Sequence, residues 1–257
     1  MTLSGDFRRR TLAGEWLAGT FLNLGSSVTT EIAGQAGYDW LLIDHEHGPG
    51  GEETLLHQLQ AAAATPAVPM VRIAANEAPR FKRALDVGAH GVMVPYISTA
   101  AEAQAAVTAM RYPPRGVRGV AKINRGAGFG QHFEEYYLHA HEWLLLIAQI
   151  ETPEAVSNCE AIAATDGIDV LFVGPTDLSY NLGIRDQLDH PTFLEALRRV
   201  AAAARGAGKA AGILVHNPAL VEKCRDMGYT FVALGSDGGA VNAGLRQNAA
   251  TLKAAKP

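Results

Sequence analysis

WLLLIAQIETPEAVSNCEAIAATDGIDVLFVGPTD, residues Trp143–Asp177, contains one complete strand–helix–strand unit. Trp143–Ile150 and Ile168–Val173 are short continuous apolar runs, the pattern of strands covered on both faces. Between them Pro153–Ala164 reads as a helix with proline in its first turn. Outward from this unit the same alternation recurs. Six further runs, Ala18–Leu24, Tyr38–Ile43, Val68–Ile73, Gly91–Tyr96, Ala211–Val215 and Phe231–Leu234, are separated by helix-like stretches. Those stretches are Val28–Ala36, Glu52–Ala64, Ala78–Val87, Ala100–Met110, Pro191–Gly206 and Pro218–Met227, and a last helix is expected over Asn242–Ala255. Eight such units are the number that closes a (β/α)8 TIM barrel. The competing open doubly wound sheet would carry a GxGxxG turn after its first strand, and none is present. No Pro/Gly/Ser-rich linker divides the chain, so one α/β barrel domain is expected over residues 1–257.

Composition narrows the functional classes. The chain has 26 acidic and 22 basic side chains, a net charge of −4, which disfavours a nucleic-acid surface because neutralising phosphates needs a basic excess. Its 44 alanines and 27 glycines suit helices pressed against a barrel and tight strand–helix joints. Cys159 and Cys224 lie far apart, with no CxxC spacing, so neither a disulfide scaffold nor a structural zinc site is indicated. The N-terminus has no apolar stretch of signal-peptide type, and the longest apolar runs are too short to span a bilayer. A cytoplasmic protein without a membrane segment is the expectation.

In a parallel barrel the chemistry belongs at the carboxyl ends of the strands. Four apolar runs end in charged or polar groups: Asp44-His45-Glu46-His47, Arg72, Gln149-Ile150-Glu151, and Gly174-Pro175-Thr176-Asp177. Glu151 and Asp177, on consecutive strands with no cysteine nearby, describe an oxygen-ligand site for a hard divalent cation. Either carboxylate alone reads equally as the cap of the helix that follows. The Arg72 guanidinium would meet a carboxylate in an ion pair or a developing enolate oxygen. His45 and His47 are one residue apart, so on an extended segment only one faces the pocket, and Asp44 is placed to orient it. His216, Asn217, Ser236 and Asp237 end the last two runs, near Gly235, Gly238 and Gly239. None of the six lysines ends a run, which disfavours imine chemistry. The long connection between the fourth and fifth runs contains Tyr112–Gly119, either a structural loop or a cover over the site with Arg118 near an anionic substrate.

Taken together, Tyr38–Pro49, Pro69–Arg72, Tyr112–Gly119, Gln149–Thr152 and Val173–Ser179 resemble the HpcH/HpaI aldolases, the metal-dependent class II pyruvate aldolases, over nearly the whole chain. The resemblance implies a (β/α)8 barrel whose C-terminal helix is exchanged between neighbours, in a homohexamer built as a trimer of dimers. It implies that Glu151 and Asp177 hold a divalent ion (Mg²⁺, Mn²⁺ or Co²⁺) that chelates pyruvate. Arg72 would face the enolate oxygen, and His47, supported by Asp44, would be the acid–base group. Gln149 would support the site, and the backbone around Gly174, Thr176 and Asp177 would grip the pyruvate carboxylate. His45 and Thr176 depart from the small residue and the alanine that the family pattern has there. The implied reaction is reversible cleavage of 4-hydroxy-2-oxo acids to pyruvate and an aldehyde. Oxaloacetate decarboxylation, cleavage of a CoA thioester, and oxoacid binding without catalysis are the alternatives.

Overall fold

The computed structural model describes residues 5–256, and the eight apolar runs form eight parallel strands. These are β1 (Leu17–Leu22), β2 (Trp40–Asp44), β3 (Val68–Arg72), β4 (Gly91–Val94), β5 (Leu145–Ile150), β6 (Val170–Val173), β7 (Ala210–Val215) and β8 (Phe231–Ser236). They pair in sequence order, and β8 closes onto β1 through Leu17 opposite Phe231 and Ala18 opposite Val232. The helices are α1 (Asp6–Leu12), α2 (Ser27–Gln35), α3 (Glu52–Ala62), α4 (Ala78–Asp86), α5 (Ala100–Met110) and α6 (Phe133–Trp143), followed by α7 (Pro153–Ser157), α8 (Cys159–Ala163), α9 (Pro175–Asn181), α10 (Pro191–Gly206), α11 (Ala219–Asp226) and α12 (Asp237–Ala254). Among the described residues no helix is long and apolar enough to cross a membrane.

The strands have continuous apolar sequences because each is buried on both faces. Inside the barrel, Leu17, Phe21, Trp40, Met70, Ile147, Phe172 and Phe231 form a closed core. Trp40 stacks on Phe231 at 4.2 Å between ring centroids, with Phe172 edge-on to both. Gly19 makes room for the indole, since a Cβ there would lie 2.1 Å from Trp40. Outside, Leu41, Ile43, Val71, Val92, Leu146 and Leu171 meet the helices in a second, larger core. Helix α1, which composition alone did not mark, closes the amino-terminal end of the barrel. Its Phe7 reaches the inner core edge-on to Phe231, and its Arg8 pairs with buried Asp169 at 2.8 Å.

The structure decides between the two readings of the long connection. The long connection between β4 and β5 lies at the amino-terminal end of the barrel, not over the catalytic mouth. Helix α5 carries the chain back down before Tyr112–Gly130 begins. The segment is then pinned to the carboxyl ends of α3 and α4: Arg125 donates to the carbonyls of Leu59 and Val87, and the Gly126 amide to that of Asp86. Arg118 is buried there, with no side-chain exposure. It donates to Asp86 Oδ1 at 2.8 Å and to Tyr136 Oη at 3.0 Å, and its guanidinium lies 4.4 Å from the centroid of Tyr112. The loop is structural, and Arg118 does not approach the strand ends.

Candidate active site

Register places the first pair. Asp44 ends β2 directly opposite Arg72 at the end of β3. The guanidinium forks onto the carboxylate, Nε to Oδ1 at 3.0 Å and Nη2 to Oδ2 at 2.7 Å, while Nη1 lies 2.9 Å from Glu46 Oε2. Both members of the fork are buried, and the guanidinium sits 5.3 Å above the ring of Phe21. Burial pushes the Asp44 carboxyl up, but hydrogen bonds and charge from Arg72, with the amides of His47 and Glu46, outweigh it and hold Asp44 below the usual carboxylate range. Asp44 Oδ1 also accepts from those two amides, at 3.1 Å (Glu46) and 3.3 Å (His47), which folds the turn after β2.

Asp44 therefore meets His47 through the main chain, its carboxylate being committed to Arg72. The His47 side chain is 66% exposed at the cavity wall, its Nε2 3.8 Å from Glu46 Oε2. His45 points the other way, toward the space between α3 and α4 lined by Glu52 and Arg83. Its Nε2 is buried without a hydrogen-bond partner among the described residues, and burial lowers its affinity for a proton.

The second pair comes from β5 and the turn after β6. Glu151 is 1% exposed. Its Oε1 accepts the Tyr96 amide at 2.8 Å, its Oε2 accepts from Gln149 Nε2 at 3.1 Å, and its carbonyl accepts from Asn181 Nδ2 at 2.9 Å. Burial, with the negative charges of Asp177 and Glu46, pushes its carboxyl up to about 7. Asp177 lies in the first turn of α9, and its Oδ1 accepts from the Tyr96 hydroxyl at 3.2 Å. Gly174 leads into α9 without a side chain because a Cβ would stand 2.4 Å from Glu151 Oε2.

The electrostatic balance favours a cation. Burial raises Glu46 against the pull of Arg72, and the negative charges of Asp177 and Glu46 raise Glu151, while the Arg72 guanidinium is shared between Asp44 and Glu46. Glu151, buried with negative charge beside it, is unfavourable as a carboxylate unless a positive charge joins it. Oxygen donors of this kind fit Mg²⁺ or Mn²⁺, which keep water or substrate oxygens in their remaining positions. Among the described residues no group of three or more His, Cys, Asp or Glu side chains forms a complete metal cage. Gln149 Oε1, buried beside Glu151, has no partner among the described residues.

Asp44, His47, Arg72, Gln149, Gly174, Thr176 and Asp177 line one cavity of about 300 Å³ at the barrel mouth, with His216 and Ser236 on its far side. Sequence reasoning did not single out Phe21, Asn23, Leu214 or Tyr96. Asn23, one residue beyond β1, was accessible to the same strand-end argument; Leu214 and Phe21 read simply as core. Asp237, named from its place after β8, instead ties α12 to the barrel by accepting from the Asn23 amide and the Thr29 hydroxyl.

A closed parallel barrel with buried carboxylates, a guanidinium and a histidine at one mouth is the architecture of an enzyme acting on a small anion. Comparison with known proteins narrows this. The family profile described as HpcH/HpaI aldolase/citrate lyase matches residues 17–243. The chain is 44% identical to 2-keto-3-deoxy-L-rhamnonate aldolase of Klebsiella pneumoniae, over 91% of this chain and 88% of that one. It is 39% identical to hydroxypyruvate/pyruvate aldolase of Pseudomonas aeruginosa, over 98% and 94% of the two lengths. The crystal structure of an HpcH/HpaI aldolase/citrate lyase family protein from Burkholderia cenocepacia superposes with a TM-score of 0.92 at 38% identity, covering 97% of this chain and all of that one. The chain belongs to the HpcH/HpaI aldolase/citrate lyase family. It is an aldolase, a carbon–carbon lyase, and its membership is consistent with dependence on a divalent metal.

Proposed function

We propose that the chain reversibly cleaves 4-hydroxy-2-oxo acids to pyruvate and an aldehyde through the enolate of pyruvate, with Glu151 and Asp177 holding Mg²⁺, Mn²⁺ or Co²⁺. The observation that carries this reading is the meeting of the Asp44–Arg72 fork with Asp177 at one cavity, with Glu151 buried behind its wall and joined to Asp177 through Tyr96. The divalent ion, when bound, supplies Lewis-acid polarisation of the 2-oxo group. Arg72, fixed by Asp44 and Glu46, turns its positive charge toward the oxygen on which enolate charge develops. His47 takes the proton from the C4 hydroxyl as the C3–C4 bond breaks and delivers it to C3 of the enolate to give pyruvate. In the synthetic direction it takes a methyl proton from pyruvate and returns it to the new alkoxide. Gln149 fixes Glu151 through Oε2. Gly174 and the main chain of Thr176 and Asp177, whose first-turn N–H groups have no intrahelical acceptor, receive the pyruvate carboxylate.

The names of the two aldolase relatives support an oxoacid donor, and the modest cavity suits pyruvate plus a small aldehyde. We take residues 1–257 as one catalytic domain in the cytoplasm. We also take the assembly as a homohexamer, a trimer of dimers in which α12 is exchanged. No residue of α12 is buried within the protomer, and Val241, Leu245 and Leu252 are exposed on it, which supports a partner covering this helix. The test of the reaction is turnover of a 4-hydroxy-2-oxo acid, oxaloacetate and a malyl thioester side by side, with and without Mn²⁺. Pyruvate and aldehyde release from the first at the highest kcat/KM is expected. Turnover of oxaloacetate alone would replace the aldolase reading with decarboxylation, which passes through the same enolate.

A further inference from the structure

Tyr96 stands where the chain leaves β4, with φ at +52°, in the left-handed region that a residue bearing a Cβ enters only against steric cost. Such a conformation persists where surrounding contacts enforce it, and it concentrates at functional sites. Two contacts hold Tyr96 here, and they go to two different carboxylates. Its amide donates to Glu151 Oε1 at 2.8 Å, and its hydroxyl reaches across the end of β5 to Asp177 Oδ1 at 3.2 Å. The residue is 49% exposed, so burial of its ring does not explain its place.

The consequence lies in which oxygens remain. Glu151 has one hydrogen bond on each oxygen, from Tyr96 and from Gln149. Asp177 has its Oδ1 engaged by the phenol, while among the described residues no donor reaches its Oδ2. A hydrogen-bonded carboxylate oxygen keeps a second lone pair, so Glu151 can still ligate; what the phenol fixes is the orientation of the Asp177 carboxylate, which favours ligation through Oδ2 alone. Mg²⁺ and Mn²⁺ sites use such one-oxygen carboxylates in octahedral geometry, whereas Ca²⁺ takes six to eight oxygens and readily uses both oxygens of a carboxylate.

We propose that Tyr96 is a positioning residue that confines Asp177 to one-oxygen ligation, and that it thereby makes the site select small octahedral cations over Ca²⁺. This rests on the reading that Glu151 and Asp177 hold the metal. Tyr96→Phe keeps the ring, the amide and the bond to Glu151, and removes only the hydroxyl. Freed of it, Asp177 can rotate and offer both oxygens.

The experiment measures Mn²⁺ binding to metal-free protein from the electron paramagnetic resonance signal of free Mn²⁺, with Ca²⁺ as competitor and without any activity assay. Wild type, Tyr96→Phe and Glu151→Gln are compared. In Tyr96→Phe the Mn²⁺ Kd should rise about 10-fold, the size of effect seen when a group orienting a metal ligand is lost. Ca²⁺ affinity should stay constant or improve, so the preference for Mn²⁺ over Ca²⁺ falls about 10-fold or more. Equal losses for both ions, or no change in either, would overturn the role of Tyr96 while Glu151→Gln still abolished binding. A wild type that bound no Mn²⁺, or a Glu151→Gln that bound it normally, would overturn both this proposal and the metal reading beneath it.

Discussion

Replacing Arg118 by Met is the sharpest test of where the long β4–β5 connection lies. The wild-type guanidinium is wholly buried, paired with Asp86 at 2.8 Å, bonded to Tyr136 Oη at 3.0 Å and stacked over Tyr112. Methionine fills most of the space of the stem, so the cavity contribution is small. What is lost is the charge partner of Asp86, whose side chain is 22% exposed, and the donor to a fully buried phenol. Breaking a buried pair from one side costs about 3–5 kcal/mol, and the partial exposure of Asp86 brings the expected loss to about 2–4 kcal/mol. For a chain of this size that lowers Tm by about 4–8 °C. Arg118→Lys should recover only part of the loss, because an ammonium cannot fork between Asp86 and Tyr136 or stack over Tyr112. Calorimetry gives Tm, and kcat/KM is measured well below the transition. Activity should stay within about threefold of wild type, since Arg118 sits at the far end of the barrel. A loss of activity of about 100-fold with Tm unchanged would refute the structural role and restore Arg118 to the substrate.

Two further perturbations follow from the geometry. Gly174→Ala puts a methyl group 2.4 Å from Glu151 Oε2 and 3.2 Å from Gln149 Nε2, so kcat/KM should fall by about 100-fold or more with the circular dichroism spectrum retained; near-normal activity would show that Glu151 is free to move. His90, ahead of β4, is held near pKa 4 by burial and by the charge of Arg125. Between about pH 6.5 and 4 the unfolded chain binds a proton that the folded one refuses, so the His90 contribution is complete above 6.5 and is lost as pH falls toward 4. The full difference is about 3 kcal/mol. Glu151, raised to about 7, acts in the opposite sense in metal-free protein, its contribution declining as pH rises from about 4.5 to 7. The readout is therefore the difference in urea midpoints between wild type and His90→Gln, at pH 7.5 and at pH 5. Wild type should lose more stability on acidification; parallel losses would show that His90 is already protonated when folded.

The barrel was legible because its strands, buried on two faces, are uninterrupted apolar runs, and because prolines such as Pro153 mark helix starts. Ala100–Met110 and Pro191–Gly206 match α5 and α10 to the residue. Pro153–Ala164 instead breaks into α7 and α8 at Asn158, whose side chain donates to the Ser98 carbonyl. Helix α12 begins five residues ahead of the expected start. Gly235, Gly238 and Gly239 look like turn residues, but the Ser236 hydroxyl caps the Gly239 amide, and Gly238 is needed close against Asn23. Helix α9 was hidden because its first turn is the site motif itself. The face on which Tyr112–Gly130 lies depends on α5 running back down the barrel, and composition does not reveal that direction. At the site, strand ends pointed to Asp44, Arg72, Glu151 and Asp177, and the structure gathers all four at the same mouth. Tyr96 escaped notice because it continues an apolar run, and only the turn at Pro95 and the positive φ send its hydroxyl to Asp177.

The central claim is that Glu151 and Asp177 hold a divalent ion that makes the methyl protons of pyruvate acidic. Exchange of those protons in D₂O, followed by proton magnetic resonance with no aldehyde present, isolates this step. Wild type should exchange only with Mg²⁺, Mn²⁺ or Co²⁺ added and stop on chelation, and Glu151→Gln and Asp177→Asn should each lose exchange by about 100-fold or more while remaining folded. Metal-independent exchange, or wild-type rates in either variant, would contradict the claim.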